Sequence, residues 1–247
     1  MTDDQKAPLT AHLEELRSRI IKCFIAVGIG FAVSYAFKEQ LFDYLMQPLR
    51  DALPYGDRII FTGLPEAFFT YLKVAFLSGL LLASPVILYQ LWMFVAPGLY
   101  KQEKKFLMPI IVLSVFFFLG GALFGYFVVF PFGFSFFLSF ANPSIQALPS
   151  MKEYLGFASK MLLAFGFVFE LPLFITGLAR MGVVSVGFLN RNRKYAILLF
   201  FIFGAILTPP DIVSQVMLAC PLMVLYEISI CGAWLFGKKN RAPEAEA

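Results

Sequence analysis

Glu170 is the tenth residue of a nineteen-residue run, Met161 to Ala179, in which every other residue except Thr176 is apolar or small. A run of that length crosses a bilayer, and an acid at a helix centre costs roughly 2.5 to 3.5 kcal/mol on insertion scales. Such a carboxylate therefore faces protein or water and marks a candidate site. Gly166 and Gly177 lie on the same helical face, and Pro172 deprives the carbonyl of Val168 of its helical donor. The expected local form is a polar notch in a bent helix, weighed against a plain bond to a neighbouring helix. Asp211 and Gln215, near the start of the last apolar segment, form a second polar pair, expected to face a shallow wet cavity. Asp211 also suits the positive end of a helix dipole. Glu227 reads as a packing or interfacial group.

Two further stretches carry charge next to apolar segments. His12 to Arg19 reads as a helix entering the membrane, with Glu15 and Arg19 at i,i+4 spacing, which by itself makes only a weak surface pair. The stretch from Leu88 to Phe106 holds an aromatic belt and a carboxylate, Glu103, among Lys101, Lys104 and Lys105. Signatures of covalent catalysis are missing. The chain has no G-x-x-x-x-G-K-[ST], no H-E-x-x-H and no G-x-S-x-G, and its one histidine lies in the amino-terminal tail. Cys23, Cys220 and Cys231 lack ligand spacing and are expected as small core residues. No metal, cofactor or nucleic-acid partner is expected.

These residues must be held by membrane-spanning helices. The 247 residues are 60% hydrophobic and 15% charged, against about 25% charged in soluble domains, and the 31 phenylalanines suit lipid-facing surfaces. The reading is a single all-α integral membrane domain over 1–247, with tails 1–10 and 238–247 expected to be flexible. Apolar runs fall at about 20–37, 74–95, 107–130, 154–179, 195–207 and 212–235, giving six spans and both termini on one side. Acidic residues in the first nineteen positions do not fit a cleavable signal, so the first span is expected to stay. Sorted by that topology, 14 of the 20 lysines and arginines fall on the side of the termini, which is therefore cytoplasmic.

Tyr195 to Leu207, at about 20 Å, is too short to cross an unthinned core of about 30 Å. The loop from Lys38 to Leu72 opens with Leu41, Phe42, Leu45, Met46 and Leu49 on one face, suited to the outer membrane surface. Pro48, Pro54 and Pro65 are expected to break it into short stiff pieces of an ordered cap. A second outer loop is expected after Phe130. Gly121 and Gly125 form a G-x-x-x-G that permits close helix approach.

Four blocks, His12 to Arg17, Ser84 to Lys105, Phe165 to Pro172 and Leu207 to Gln215, together resemble the TatC family, the multi-span receptor subunits of the twin-arginine protein translocase. The resemblance covers about residues 8 to 235 with no departure at the motif positions, and the tails and second outer loop add little to it. It implies a concave bundle of six helices, the fifth and sixth short, in the bacterial cytoplasmic (inner) membrane. It further implies binding of twin-arginine signal peptides of folded precursors, with Glu15, Arg17, Phe94 and Glu103 as the peptide site. Glu170, Asp211 and Gln215 are implied as intramembrane polar or partner-binding positions, and Pro48 as part of the outer cap. Implied partners are the single-span subunits TatA and TatB and further copies of the chain. Without a nucleotide motif, energy would come from the proton-motive force, which offers about 2.3 kcal/mol per charge per 100 mV. The rival classes are an ion-coupled solute transporter using Glu170 as its carrier site, and a purely structural membrane scaffold.

Overall fold

The structure is a computed structural model that describes residues 9–53, 59–60, 63–95, 107–141, 147–207 and 212–237. These residues are helical apart from turns and one isolated bridge between Ile60 and Ser150. Five helical stretches are long and apolar enough to cross a membrane: Leu13–Ala36, Glu66–Phe94, Leu107–Leu138, Met151–Arg180 and Gln215–Phe236. The chain divides into two compact units, residues 1–116 with 148–155, and residues 117–147 with 156–247.

In the first unit α1 (Leu9–Ala36) lies along α3 (Glu66–Val95). Their closest approach is glycine on glycine. A Cβ built on Gly79 would sit 2.7 Å from Phe31 Cα, and one on Gly30 would sit 3.2 Å from Gly79 Cα. With no side chain between them the backbones touch, which maximises dispersion contact where lipid offers no hydrophobic drive. Pro85 lies inside α3 and cannot donate to the carbonyl of Leu81, but the buried Ser84 hydroxyl donates to that carbonyl instead, at 2.7 Å. The helix thus continues past the proline to carry Gln90, Trp92 and Phe94 at its far end.

Three expectations about the first outer loop are corrected. The apolar face that opens it belongs to α2 (Lys38–Ala52), whose Phe42, Leu45, Met46, Pro48 and Leu49 are buried. Phe42 meets the Tyr71 ring edge-on at 5.4 Å, and the Tyr154 hydroxyl donates to the carbonyl of Leu45. The face is covered by protein rather than laid on lipid, and Pro48 sits inside the helix instead of breaking the chain. Moreover, α3 starts at Glu66, so the loop ends several residues before Leu72.

Glu66 organises what lies between. Its Oε1 accepts the Ser150 hydroxyl and the Lys152 amide, both at 2.9 Å, while Oε2 accepts the Gly63 amide at 3.2 Å. The neighbouring chain is pinned as well, because Ile60 donates to the carbonyl of Pro149 and accepts from Met151. A single acid therefore ties the start of α3 to the start of α6 (Met151–Phe169). Hydrogen bonds to charged groups are worth about 1.5 to 3 kcal/mol each, and Glu66 is 8% exposed. Replacing Glu66 with alanine should lower the melting temperature and speed hydrogen exchange at residues 59–66 and 149–153. Glu66→Gln, which keeps one carbonyl acceptor, should fall between alanine and wild type.

The second unit takes in the later part of α4 (Leu107–Phe124), followed without a break by a π-helical turn, Gly125–Val129, and by α5 (Phe130–Leu138). The outer loop expected after Phe130 is thus helical to Leu138. The proline at 131 has no amide to donate, and just before it the ladder widens so that the Phe130 amide reaches the carbonyl of Gly125. Next come α6, α7 (Leu171–Arg180), α8 (Val186–Arg191), α9 (Arg193–Leu207) and α10 (Ile212–Phe236). Gly182, at φ 78°, ends α7 in a left-handed turn: its amide donates to Ala179, and that of Val183 to Leu178.

With 15 residues, or about 22 Å, α9 is as short as its sequence implies. The sixth helix is not short. α10 has 25 residues, about 37 Å, enough to cross the bilayer with tilt. Cys220 and Cys231 are exposed rather than core residues, while Cys23 is half-buried.

Candidate functional site

Two groups of residues carry the chemistry, one at the amino-terminal end of α1 and one where α6 meets α7. At the first, Arg19 bridges two helices. Its Nε and Nη2 donate to Glu15 Oε1 at 3.0 and 2.5 Å, and its Nη1 donates to Gln90 Oε1 of α3 at 3.2 Å. The i,i+4 pair visible in the sequence is thereby tied to a residue 71 positions away, which the sequence did not single out. Gln90 is buried, and Phe94 stands one turn further along α3 on the same face, half-buried. The Trp92 indole donates to the Ser114 hydroxyl at 2.6 Å, fixing this end of α3 against α4.

Glu15 and Phe94 are therefore carried by the same end of the α1 and α3 pair. Arg17 is exposed and projects from α1 at about 200° from Glu15, away from that pair. Glu103 and the lysines around it lie outside the described residues, as does the His12 side chain. This end of the molecule thus offers a carboxylate already engaged by a guanidinium, a buried amide and an aromatic ring, which is equipment for holding a cation flanked by apolar groups.

At the second group, Glu170 is fully buried. It occupies the turn between α6 and α7: its amide donates to Phe167, and its carbonyl accepts the amides of Leu173 and Phe174. Pro172, also buried, stands at the start of α7, so the break expected from its missing donor is present. The notch beside Gly166 is not open. A Cβ there would lie 2.9 Å from the Phe118 ring, so that ring already fills the space. Phe118 also meets Phe167 edge-on at 5.4 Å. The G-x-x-x-G that runs from α4 into the π-helical turn does what its spacing implies, since Gly121 abuts the backbone of Phe165 and the Phe169 side chain, with Gly125 over the Phe165 ring.

Gln215 is half-buried and engaged by protein. Its Nε2 donates to the carbonyl of Phe201 at 2.8 Å, and a Cβ on Gly204 would lie 3.1 Å from its Cγ. It fastens α10 to α9. Asp211 lies outside the described residues. Glu227 pairs with Arg193 at 2.9 Å with both side chains about half exposed, as an interfacial group would. Among the described residues no cluster of side chains could hold a metal ion.

Residues 11–221 match the family model for the Sec-independent protein translocase protein TatC. A curated relative with that name from Desulforapulum autotrophicum is 63% identical over 99% of this chain and 91% of its own length. Its namesake from Escherichia coli is 39% identical over 99% and 95%. Two solved structures described as the twin-arginine translocase receptor TatC, one of them in the detergent DDM, superpose with TM-scores of 0.81 and 0.82 at 38% identity. They cover 91% and 92% of this chain and 98% and 100% of the crystallised chains. All of these proteins are translocase components by name. A chain whose described residues are almost entirely helical and include five full-length apolar spans, and which is matched over most of its length by family model, by sequence and by structure, belongs to the TatC family of protein translocase subunits.

Proposed function

We propose that this chain is the receptor and core subunit of a twin-arginine translocase in a bacterial inner membrane, binding the signal peptides of folded precursors and assembling single-span TatA and TatB partners. The observation that carries the reading is Glu15, a carboxylate held at the membrane-entry end of α1 in forked bonds with a guanidinium, next to a helix end bearing Gln90 and Phe94. A site that already binds one arginine has the geometry to bind another. Forked, charge-assisted bonds distinguish guanidinium from ammonium, so the peptide would be read by shape as well as charge. Glu103, Arg17 and Phe94 complete the proposed peptide site.

The proposed topology has six spans with both termini in the cytoplasm, where most lysines and arginines would lie. The span count rests on α9, fifth in chain order, which brings the five full-length spans to six by crossing a membrane locally thinned to match its about 22 Å. Because α10 is full length, the thinning would be confined to α9. Glu170, Asp211 and Gln215 are proposed as the polar positions at which partner helices assemble, with the proton-motive force as the energy source.

The test is capture of a twin-arginine precursor by Glu103 variants. Glu103→Ala should weaken capture and Glu103→Arg should weaken it further, with the protein still inserted and abundant. The loss of a hydrogen bond to a charged group is worth on the order of 1.5 to 3 kcal/mol. A twin-lysine peptide should bind wild type less well, and that disadvantage should shrink in Glu103→Ala. Unchanged precursor affinity in both variants would remove Glu103 from the site.

A further inference from the structure

Glu15 is not waiting with its carboxylate in water; an arginine of the same helix is seated on it. Arg19 uses Nε and Nη2 on Glu15 and Nη1 on Gln90, and its side chain is 17% exposed against 35% for Glu15. An ordinary helix-surface pair needs no third anchor on another helix. Here the anchor is a buried glutamine of α3, which accepts from the guanidinium nitrogen that Glu15 leaves free of its two bonds.

We infer that Arg19 is a built-in competitor for the docking carboxylate, occupying Glu15 until an arginine of the client peptide takes its place. The inference rests on the proposed reading of Glu15 as a docking group. In the exchange one forked guanidinium–carboxylate bond is broken and another of the same kind is formed. The bond from Nη1 to Gln90 lets Arg19 swing aside while keeping one polar partner. A client lysine would break the forked bond and replace it with an unforked one.

The competitor affects all clients alike. If only the fraction of molecules with Glu15 released can bind, every apparent affinity falls by that fraction, whatever the client. Arg19 would leave the ratio between twin-arginine and twin-lysine peptides unchanged while lowering both. Weak twin-lysine binders then fall below useful capture. Specificity in the cell would come from a threshold as well as from the bond itself.

The experiment is an equilibrium titration of the full-length protein in nanodiscs with a fluorescent twin-arginine signal peptide and its twin-lysine counterpart. Arg19→Gln should tighten both peptides by the same factor, about two- to fivefold for release of a partly exposed pair. Arg19→Lys keeps the charge and loses the fork, so it should give a smaller, parallel gain, and it tests the same point if Arg19→Gln inserts poorly. Lys22, exposed on α1 and nearly two turns from Glu15, is the control for general charge. Lys22→Gln should gain clearly less than Arg19→Gln. An affinity that falls or stays level in Arg19→Gln, or an equal gain in Lys22→Gln, overturns the competitor. Glu15→Gln separates the two layers of the argument. If it weakens capture while Arg19→Gln brings no gain, only the competitor fails; if it leaves capture unchanged, the docking reading beneath it fails.

Discussion

Gly79→Val should disable the protein more thoroughly than any single change of a charged residue at the proposed peptide site. A Cβ at position 79 would meet Phe31 N at 2.5 Å, Phe31 Cα at 2.7 Å and Gly30 C at 2.8 Å, all of them backbone atoms that cannot rotate away. The helices α1 and α3 would have to separate. Overpacking of this kind typically costs about 1 to 3 kcal/mol, and a branched side chain against backbone belongs at the upper end. Separation would also pull Gln90 from Arg19, so the loss should reach the peptide site as well as stability. Steady-state level, melting temperature and precursor capture should all fall in Gly79→Val, and by less in Gly79→Ala. Gly28→Ala, on the facing helix α1 with open space around its Cβ position, should be close to silent. Equal effects at 28 and 79 would show that the close approach is not what holds this pair together.

Glu170 carries the second large effect. It is fully buried at the turn between α6 and α7, in a segment where an ionised group is expensive. Glu170→Gln keeps the bonding capacity and removes the charge, whereas Glu170→Ala removes both. Interhelical hydrogen bonds in membranes average about 0.6 kcal/mol and reach about 1.7, so the loss should weaken assembly with partner helices rather than unfold the chain. The expected result is that Gln retains much of the export activity and partner crosslinking. Ala should lose most of both, while signal-peptide capture at the other site stays intact. Since Phe118 fills the space beside Gly166, crosslinks to a partner helix should not be centred on position 166. If Gln proves as inactive as Ala with both properly inserted, ionisation of the acid matters, and proton-coupled action at Glu170 gains the ground that partner contact loses.

Much was legible from residue types and spacing alone. Runs of apolar residues long enough to span a bilayer dictate helices, because lipid offers no partner for free backbone groups, and five of them are present at full length. The shortness of α9 is a matter of counting residues. The break at Glu170 follows from Pro172, whose missing amide acts locally wherever the helix lies. The i,i+4 pair of Glu15 and Arg19 and the close packing allowed by Gly121 and Gly125 are likewise properties of one helix and its geometry.

What the sequence could not supply are the relations between segments far apart in the chain, since the same spacing serves several neighbours. The face of Leu41 to Leu49 is equally apolar whether lipid or protein covers it, and only folding placed α3 and Tyr154 against α2. Helix α3 runs back to Glu66 because that acid is anchored by Ser150 and Lys152, residues more than eighty positions away. Gly30 and Gly79 carry no joint signal, as neither belongs to a repeat with the other; their meaning arises from the crossing of two helices. Gln215 is a polar residue whose partner, a carbonyl of α9, could be supplied only by folding. Gln90 is the sharpest case: its stretch stands out for its aromatic belt and for Glu103, and the role of the glutamine exists only because tertiary packing brings it to the guanidinium of Arg19.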